Sequence, residues 1–227
     1  MMEFLFLDLD DTILDFHKAE RIALSKTLES FDVAPDDEVL ARYHVINLQH
    51  WERLETGELT RDQVQEGRFR VLFQELGRTV DPVQVTRTYE RNLGIGHYFL
   101  PGAEEAVQSL HKKYRLFLAS NGTASVQHSR LTSAGLYPYF EKVFVSQDIG
   151  YNKPSRDYFE ACFRQIPDFC PERAIMVGDS LTSDIQGGIN AGLRTVWVNP
   201  AHKTADKIRP DYEIEGLSQL ETLLEEL

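Results

Sequence analysis

The sequence predicts an α/β fold: a Rossmann-like, doubly wound parallel sheet core with an inserted all-helical domain. Two observations carry this. Short apolar runs alternate with helical stretches from Pro101 onward, and the text between about Phe16 and Asn92 is helical with few strand-like runs. A third supports them, since Phe4–Leu7 is an unbroken run of four large apolar residues, as expected of a strand covered on both faces.

Taken in order, the first strand is followed by a helix whose apolar face includes Ala19, Ile22, Ala23 and Leu28. Trp51, Leu54, Leu59, Val64, Phe69, Leu72, Phe73 and Leu76 supply the apolar faces of later helices. Breaks fall at Ala34-Pro35-Asp36-Asp37, at Thr56-Gly57 and between Gly77 and Pro82. After Pro101-Gly102 the pattern predicts a helix to Lys113, a strand at Arg115–Ala119, a helix from Ser125 to Ala134 and a strand at Lys142–Val145. A helix after Ser155, a strand at Ala174–Val177, a helix from about Ser183 to Ala191 and a strand at Arg194–Val198 complete the alternation. Crossovers between parallel strands are right-handed, so the helices should cover both faces of one sheet.

Composition bounds the partners. The 227 residues are 42% hydrophobic, enough for a substantial core, and the formal net charge of -12 argues against a nucleic-acid polymer or an anionic membrane surface. A small anionic substrate is still compatible, because a metal or a local cation reverses the field inside one cleft. Cys162 and Cys170 have neither metal-ligand spacing nor the look of a disulfide framework, so a reducing cytoplasm is the expected setting. The opening MMEFLFLDLDD lacks a basic segment before its apolar run and ends in acids, unlike a signal peptide, and no apolar run approaches a membrane span.

The polar clusters fall after strands. Asp8-Leu9-Asp10 follows the first, Ser120-Asn121-Gly122 follows Leu116–Ala119, and Gly178-Asp179-Ser180 follows Ala174–Val177; Lys153 lies in a loop after Val143–Val145. In open parallel sheets the carboxyl ends of the strands form the ligand crevice, so these remote segments should converge. Asp8, Asp10 and Asp179 are hard oxygen ligands suited to Mg²⁺, with Mn²⁺ an alternative, and a divalent ion relieves their crowding. Ser120 and the turn amides can hold phosphate oxygens, and Lys153 offsets their charge. An aspartate can act as nucleophile in phosphoryl transfer through an acyl phosphate.

Four motifs appear in order: Asp8-Leu9-Asp10-Asp11-Thr12, Ser120-Asn121, Lys153-Pro154 and Gly178-Asp179-Ser180-Leu181-Thr182-Ser183-Asp184. Together they resemble the signature of haloacid-dehalogenase (HAD) superfamily phosphatases, and the helical stretch between the first two resembles that family's small cap. The resemblance implies an α/β core of residues 1–15 and 94–227 and a cap of residues 16–93. It also implies that Asp8 is the nucleophile and that Asp10 protonates the leaving oxygen and then deprotonates water. The metal would be held by Asp8, Asp179 and the backbone carbonyl of Asp10, with Asp184 supporting it from nearby. Thr12, Ser120, the Asn121 amide and Lys153 would hold phosphate, and Thr12 would also help position Asp10. An aspartate at position 10 argues for phosphate over halide chemistry.

The run Trp51-Glu52-Arg53-Leu54-Glu55-Thr56-Gly57-Glu58-Leu59-Thr60, followed by Gly67-Arg68-Phe69, resembles the cap of bacterial pyrimidine 5'-nucleotidases. That resemblance implies nucleoside monophosphates as substrates, with phosphoglycolate or a sugar phosphate as the alternative. Phe16, Trp51 or Phe69 could stack on a base and Arg68 could contact its edge. Aromatic residues at helical spacing also pack a cap's own core. A non-catalytic phosphate-binding protein on the same fold would be marked by a missing nucleophile or acid-base residue, and both are present.

Overall fold

The computed structural model describes residues 2–205 and 207–227. The chain forms two compact units, one comprising the chain up to Phe16 with His97–Leu227, the other His17–Gly96. In chain order the elements are β1 (Phe4–Leu7), α1 (Phe16–Glu29), α2 (Asp37–Glu55), α3 (Arg61–Glu75), α4 (Pro82–Leu93), α5 (Ala103–Leu110), β2 (Arg115–Ser120), α6 (Ala124–Ser133), β3 (Lys142–Val145), α7 (Ser146–Ile149), α8 (Arg156–Phe163), β4 (Ala174–Gly178), α9 (Gln186–Asn190), β5 (Arg194–Val198), β6 (Tyr212–Ile214) and α10 (Leu220–Glu225). Among the described residues no helix is long and apolar enough to cross a membrane.

The α/β unit is built on a six-stranded sheet of order β3-β2-β1-β4-β5-β6, with every neighbouring pair parallel. β1 is apolar throughout because both its faces are covered, and its two-residue period sorts the side chains. Leu5 and Leu7 enter one buried cluster with Val107, Leu118 and Val177. Phe4 and Phe6 enter the other with Phe117, Phe144 and Phe159. Register then levels the strand tips, since Leu7 pairs with Leu118 of β2 and with Val177 of β4. Asp8, Ser120 and Asp179 therefore leave the sheet within one residue of the same height. Strand order reverses between β1 and β4, the place where doubly wound sheets open a crevice at their carboxyl edge.

Two features depart from the sequence reading. The helix expected from Ser183 begins earlier, as a π-helical turn over Leu181–Ile185 before α9, and β6 extends the sheet beyond the last predicted strand, followed by helix α10.

The helical unit follows the predicted breaks. Asp36 caps α2 by accepting from the Val39 amide, Thr60 and Gln63 form a reciprocal capping box at α3, and Asp81 with Pro82 starts α4. Its interior is aromatic: the rings of Tyr43, Phe69 and Tyr89 meet at centroid distances of 5.2, 5.7 and 5.2 Å.

Candidate active site

Asp8 emerges from β1 with its amide still bonded to the Val177 carbonyl, so its backbone is an extension of the sheet. Its carboxylate is nearly buried and accepts from Lys153 Nζ at 2.6 Å. The same ammonium donates to Asp184 Oδ1 and to the Ala119 carbonyl, each at 2.6 Å. All three N–H groups of Lys153 are thus used, and burial of the charge is compensated. Asn121 sets the position of this lysine: its side chain accepts from the Lys153 amide and donates to the Lys153 carbonyl, both at 2.8 Å.

Asp8, Asp179 and Asp184 each place a carboxylate oxygen within 4.8 Å of the other two. Asp184 projects from the π-helical turn, where its Oδ2 accepts from the Ser180 amide at 3.1 Å. Gly178 permits this approach, because a Cβ there would overlap the Asp184 carboxylate. Trp197 Nε1 ties down the neighbouring loop by donating to the Asp179 carbonyl at 2.8 Å.

The charges do not balance within the protein. Burial pushes the Asp8 carboxyl from 3.8 up to about 8; Lys153 pulls it down, while Asp184 and Asp10 add repulsion. Asp179 is likewise raised, by burial and then by Asp184, Asp8 and Asp11. Burial opposes the charge on Lys153, but Asp184 and Asp8 outweigh it and raise its pKa. Three hard carboxylates facing one ammonium fit a small divalent cation, which would favour the ionised acids.

Ser120 and Asp10 are linked through one residue. Ser120 Oγ accepts from the Gly122 amide at 3.1 Å and from Gln127 Nε2 at 2.8 Å, which leaves its own proton to donate. Gln127 Nε2 also donates to Asp10 Oδ2 at 2.6 Å, and Arg130 pairs with Asp10 Oδ1. A Cβ at Gly122 would displace the Gln127 side chain. Sequence reasoning missed Gln127 and Arg130. The available signal was a pair of polar residues three apart in the stretch directly after Ser120-Asn121-Gly122; the full burial of the arginine emerges only in the fold.

Asp11 stands apart from its acidic neighbours. Its φ of +55° turns the chain, and its Oδ1 accepts from the Phe16 amide at 2.9 Å, closing the loop that starts α1. Thr12 Oγ1 is buried and has no hydrogen-bond partner among the described residues, so it does not hold Asp10 here.

The four candidates for the substrate's organic part differ in availability. Phe16 is half-buried, with the Arg130 guanidinium 5.9 Å from its ring centre. Trp51 is half-buried and donates from Nε1 to Asn47 Oδ1 at 3.0 Å. Phe69 is fully enclosed by the helical unit's aromatic interior. Arg68 is buried as well, donating to Asn47 Oδ1 at 2.8 Å and lying over the Phe69 and Tyr89 rings. Arg68 and Phe69 thus serve packing of the unit, the alternative that helical spacing of aromatics had left open.

A parallel sheet with an aspartate at its central strand tip, a buried lysine and two further aspartates has the parts of a phosphoryl-transfer site. The haloacid dehalogenase-like hydrolase family matches residues 2–192, and the chain belongs to that family and is an enzyme, a hydrolase. HAD-hydrolase YfnB of Bacillus subtilis is 40% identical over 221 residues, covering 97% of this chain and 94% of that protein. Its crystal structure bound to magnesium has a TM-score of 0.94 and 39% identity over 99% of each chain. Pyrimidine 5'-nucleotidase PynA of Streptococcus pneumoniae is 37% identical, over 96% of this chain and 93% of its own length. Pyrimidine 5'-nucleotidase YjjG of Escherichia coli is 30% identical, over 98% and 97%.

Proposed function

We propose that this hydrolase is a divalent-metal-dependent phosphomonoesterase that works through a phosphorylated Asp8 and acts on pyrimidine nucleoside 5'-monophosphates. The observation that supports it best is the Asp8 carboxylate, anchored by Lys153 at 2.6 Å and gathered with Asp179 and Asp184 within 4.8 Å. The substrate class rests on PynA and YjjG, both pyrimidine 5'-nucleotidases related over nearly the whole chain.

The donor set fits Mg²⁺, with Asp8, Asp179 and the Asp10 carbonyl as ligands and Asp184 in support; Mn²⁺ satisfies the same oxygens. When bound, the ion supplies positive charge that lets an anionic nucleophile approach an anionic phosphate. Asp8 attacks phosphorus with one carboxylate oxygen, the phosphorus–oxygen bond to the nucleoside breaks, and Asp10 gives its proton to the departing oxygen. Asp10, now a carboxylate, takes a proton from water, whose oxygen attacks the phosphorus and returns Asp8 to its free form. Ser120, the Asn121 amide and Lys153 stabilise the phosphoryl oxygens throughout. Gln127 and Arg130 hold the Asp10 carboxylate in register. Phe16 and Trp51 are the remaining aromatic candidates for the base. The two chain crossings, near Phe16 and near Gly96, suit a hinge. The magnesium-bound YfnB crystal structure reveals interdomain movement in that protein, which supports the hinge.

The test is phosphate release by the purified chain with Mg²⁺ from dUMP, dTMP and UMP, compared with phosphoglycolate and sugar phosphates. Faster turnover of the nucleotides supports the substrate class, and faster turnover of the others replaces it. Release from none of them overturns the activity. Asp8→Asn should abolish turnover while retaining binding of a phosphate analogue.

A further inference from the structure

A second cluster of metal-ligating side chains lies wholly inside the helical unit. His17 and Glu20 are three residues apart on α1 and share a face, and His44 comes from α2. One ligand atom from each lies within 4.8 Å of the other two. His44 Nδ1 and Glu20 Oε2 are 2.9 Å apart, and the two imidazole centres are separated by 5.0 Å. These groups border a cavity of about 280 Å³, with Arg21, Leu24 and Leu40 among the other walls.

Glu20 is the informative member. A carboxylate only 4% exposed is costly to bury, and helix α1 carries it inward beside two imidazoles. Its second oxygen accepts from Asn47 Nδ2 at 2.6 Å, and Asn47 is in turn held through its Oδ1 by Trp51 and Arg68. A carboxylate whose orientation is set by a buried hydrogen-bonding layer is how proteins prepare a metal ligand. His17 is exposed and His44 half-buried, so an ion has a route in.

We propose that His17, Glu20 and His44 form a binding site for a borderline transition-metal ion, Zn²⁺ foremost, separate from the carboxylate cluster around Asp8. Two imidazole nitrogens and one carboxylate oxygen are a common three-ligand zinc set, with a fourth position left for water. Ligand hardness sorts the two sites. The all-oxygen cluster takes Mg²⁺, whereas the nitrogen-rich one has little use for it. The bound ion ties the first two helices of the unit together across the residue 30–36 connection.

The experiment uses the full chain, stripped with EDTA and returned to excess Mg²⁺ so that the carboxylate cluster is occupied. Zn²⁺ is titrated calorimetrically, and Co²⁺ spectroscopically as its visible substitute. Wild type should bind one equivalent of Zn²⁺, and Co²⁺ should give the intense absorption of a four-coordinate site. His17→Ala and His44→Ala should each weaken binding at least about tenfold, with Mg²⁺-supported turnover retained. His128→Ala, which removes the exposed His128–Asp148 pair elsewhere, should bind like wild type. His17 is exposed, so its variant stays informative if the His44 variant unfolds. X-ray absorption on the zinc form should show imidazole scattering at about 2.0–2.1 Å. Equal binding by wild type and His17→Ala, loss of the equivalent in His128→Ala, or bound zinc lacking imidazole would overturn the proposal.

Discussion

Replacing Gln127 by leucine tests whether α6 positions the proton-transfer group. The side-chain volume is nearly kept, but the donor to Asp10 Oδ2 at 2.6 Å and to Ser120 Oγ at 2.8 Å is removed. A hydrogen bond to a charged group contributes about 1.5–3 kcal/mol. At 1.36 kcal/mol per decade of rate, its loss from the transition state corresponds to roughly a 10- to 150-fold fall in kcat. General acid-base catalysis itself supplies about 10²–10⁴-fold, so a positioning residue stays within that ceiling. KM should change by less than about threefold, because Ser120 retains the Gly122 amide and Asp10 retains Arg130. The assay is phosphate release from UMP and from p-nitrophenyl phosphate, whose phenolate leaves without needing a proton. The loss in kcat/KM should be larger for UMP than for the nitrophenyl ester. Equal losses on both esters, or wild-type rates on UMP, would refute the assignment of Gln127 to proton transfer through Asp10.

Three further outcomes follow from the same geometry. Lys153→Met leaves the Asp8 and Asp184 carboxylates buried without their shared cation, and breaking such a pair costs about 3–5 kcal/mol, read by calorimetry as a Tm fall on the order of 10 °C for the α/β unit. In EDTA, Asp8 has a folded-state pKa of about 8 against an ordinary 3.8, so its contribution to stability is complete below about pH 4 and is lost as the pH rises through 8. Asp8→Asn mimics the neutral acid, so its Tm should match wild type near pH 4 and exceed it near pH 9; Mg²⁺ should narrow or reverse that excess, and a pH-independent difference would contradict the shift. Burial pushes the Cys162 thiol up to about 12, while Cys170 is half-buried, so a thiol reagent at pH 8 should modify one cysteine rapidly in the folded chain and the second only after unfolding.

Much of the α/β unit could be read from the chain because its cause is local. β1, β3 and β5 are short, apolar and bounded by turn residues, and parallel strands covered on both faces write themselves as such runs. β6 escaped because Tyr212–Ile214 is a three-residue edge strand with one residue buried, too short for periodicity to mark. The π-helical turn at Leu181–Ile185 escaped because its signal is the accommodation of Asp184 against Gly178, a contact that residue types alone do not reveal.

The sequence by itself determined which residues could stand at the carboxyl ends of the strands: carboxylates at 8, 10 and 179, a hydroxyl at 120 and an ammonium at 153, each following a strand or loop that its own pattern defines. Tertiary structure decided how those groups divide their bonds. Asp11 turns away to cap the Phe16 amide, Asn121 grips the Lys153 backbone, and Asp10 is held by Gln127 and Arg130 with Thr12 left aside. It also committed Arg68 and Phe69 to the interior of the helical unit and brought His17, Glu20 and His44 together. The physical reason is that period and propensity act over a few residues, whereas hydrogen-bond partners and charge compensation depend on which segments, more than a hundred positions apart for Asp8 and Lys153, are brought within 3 Å.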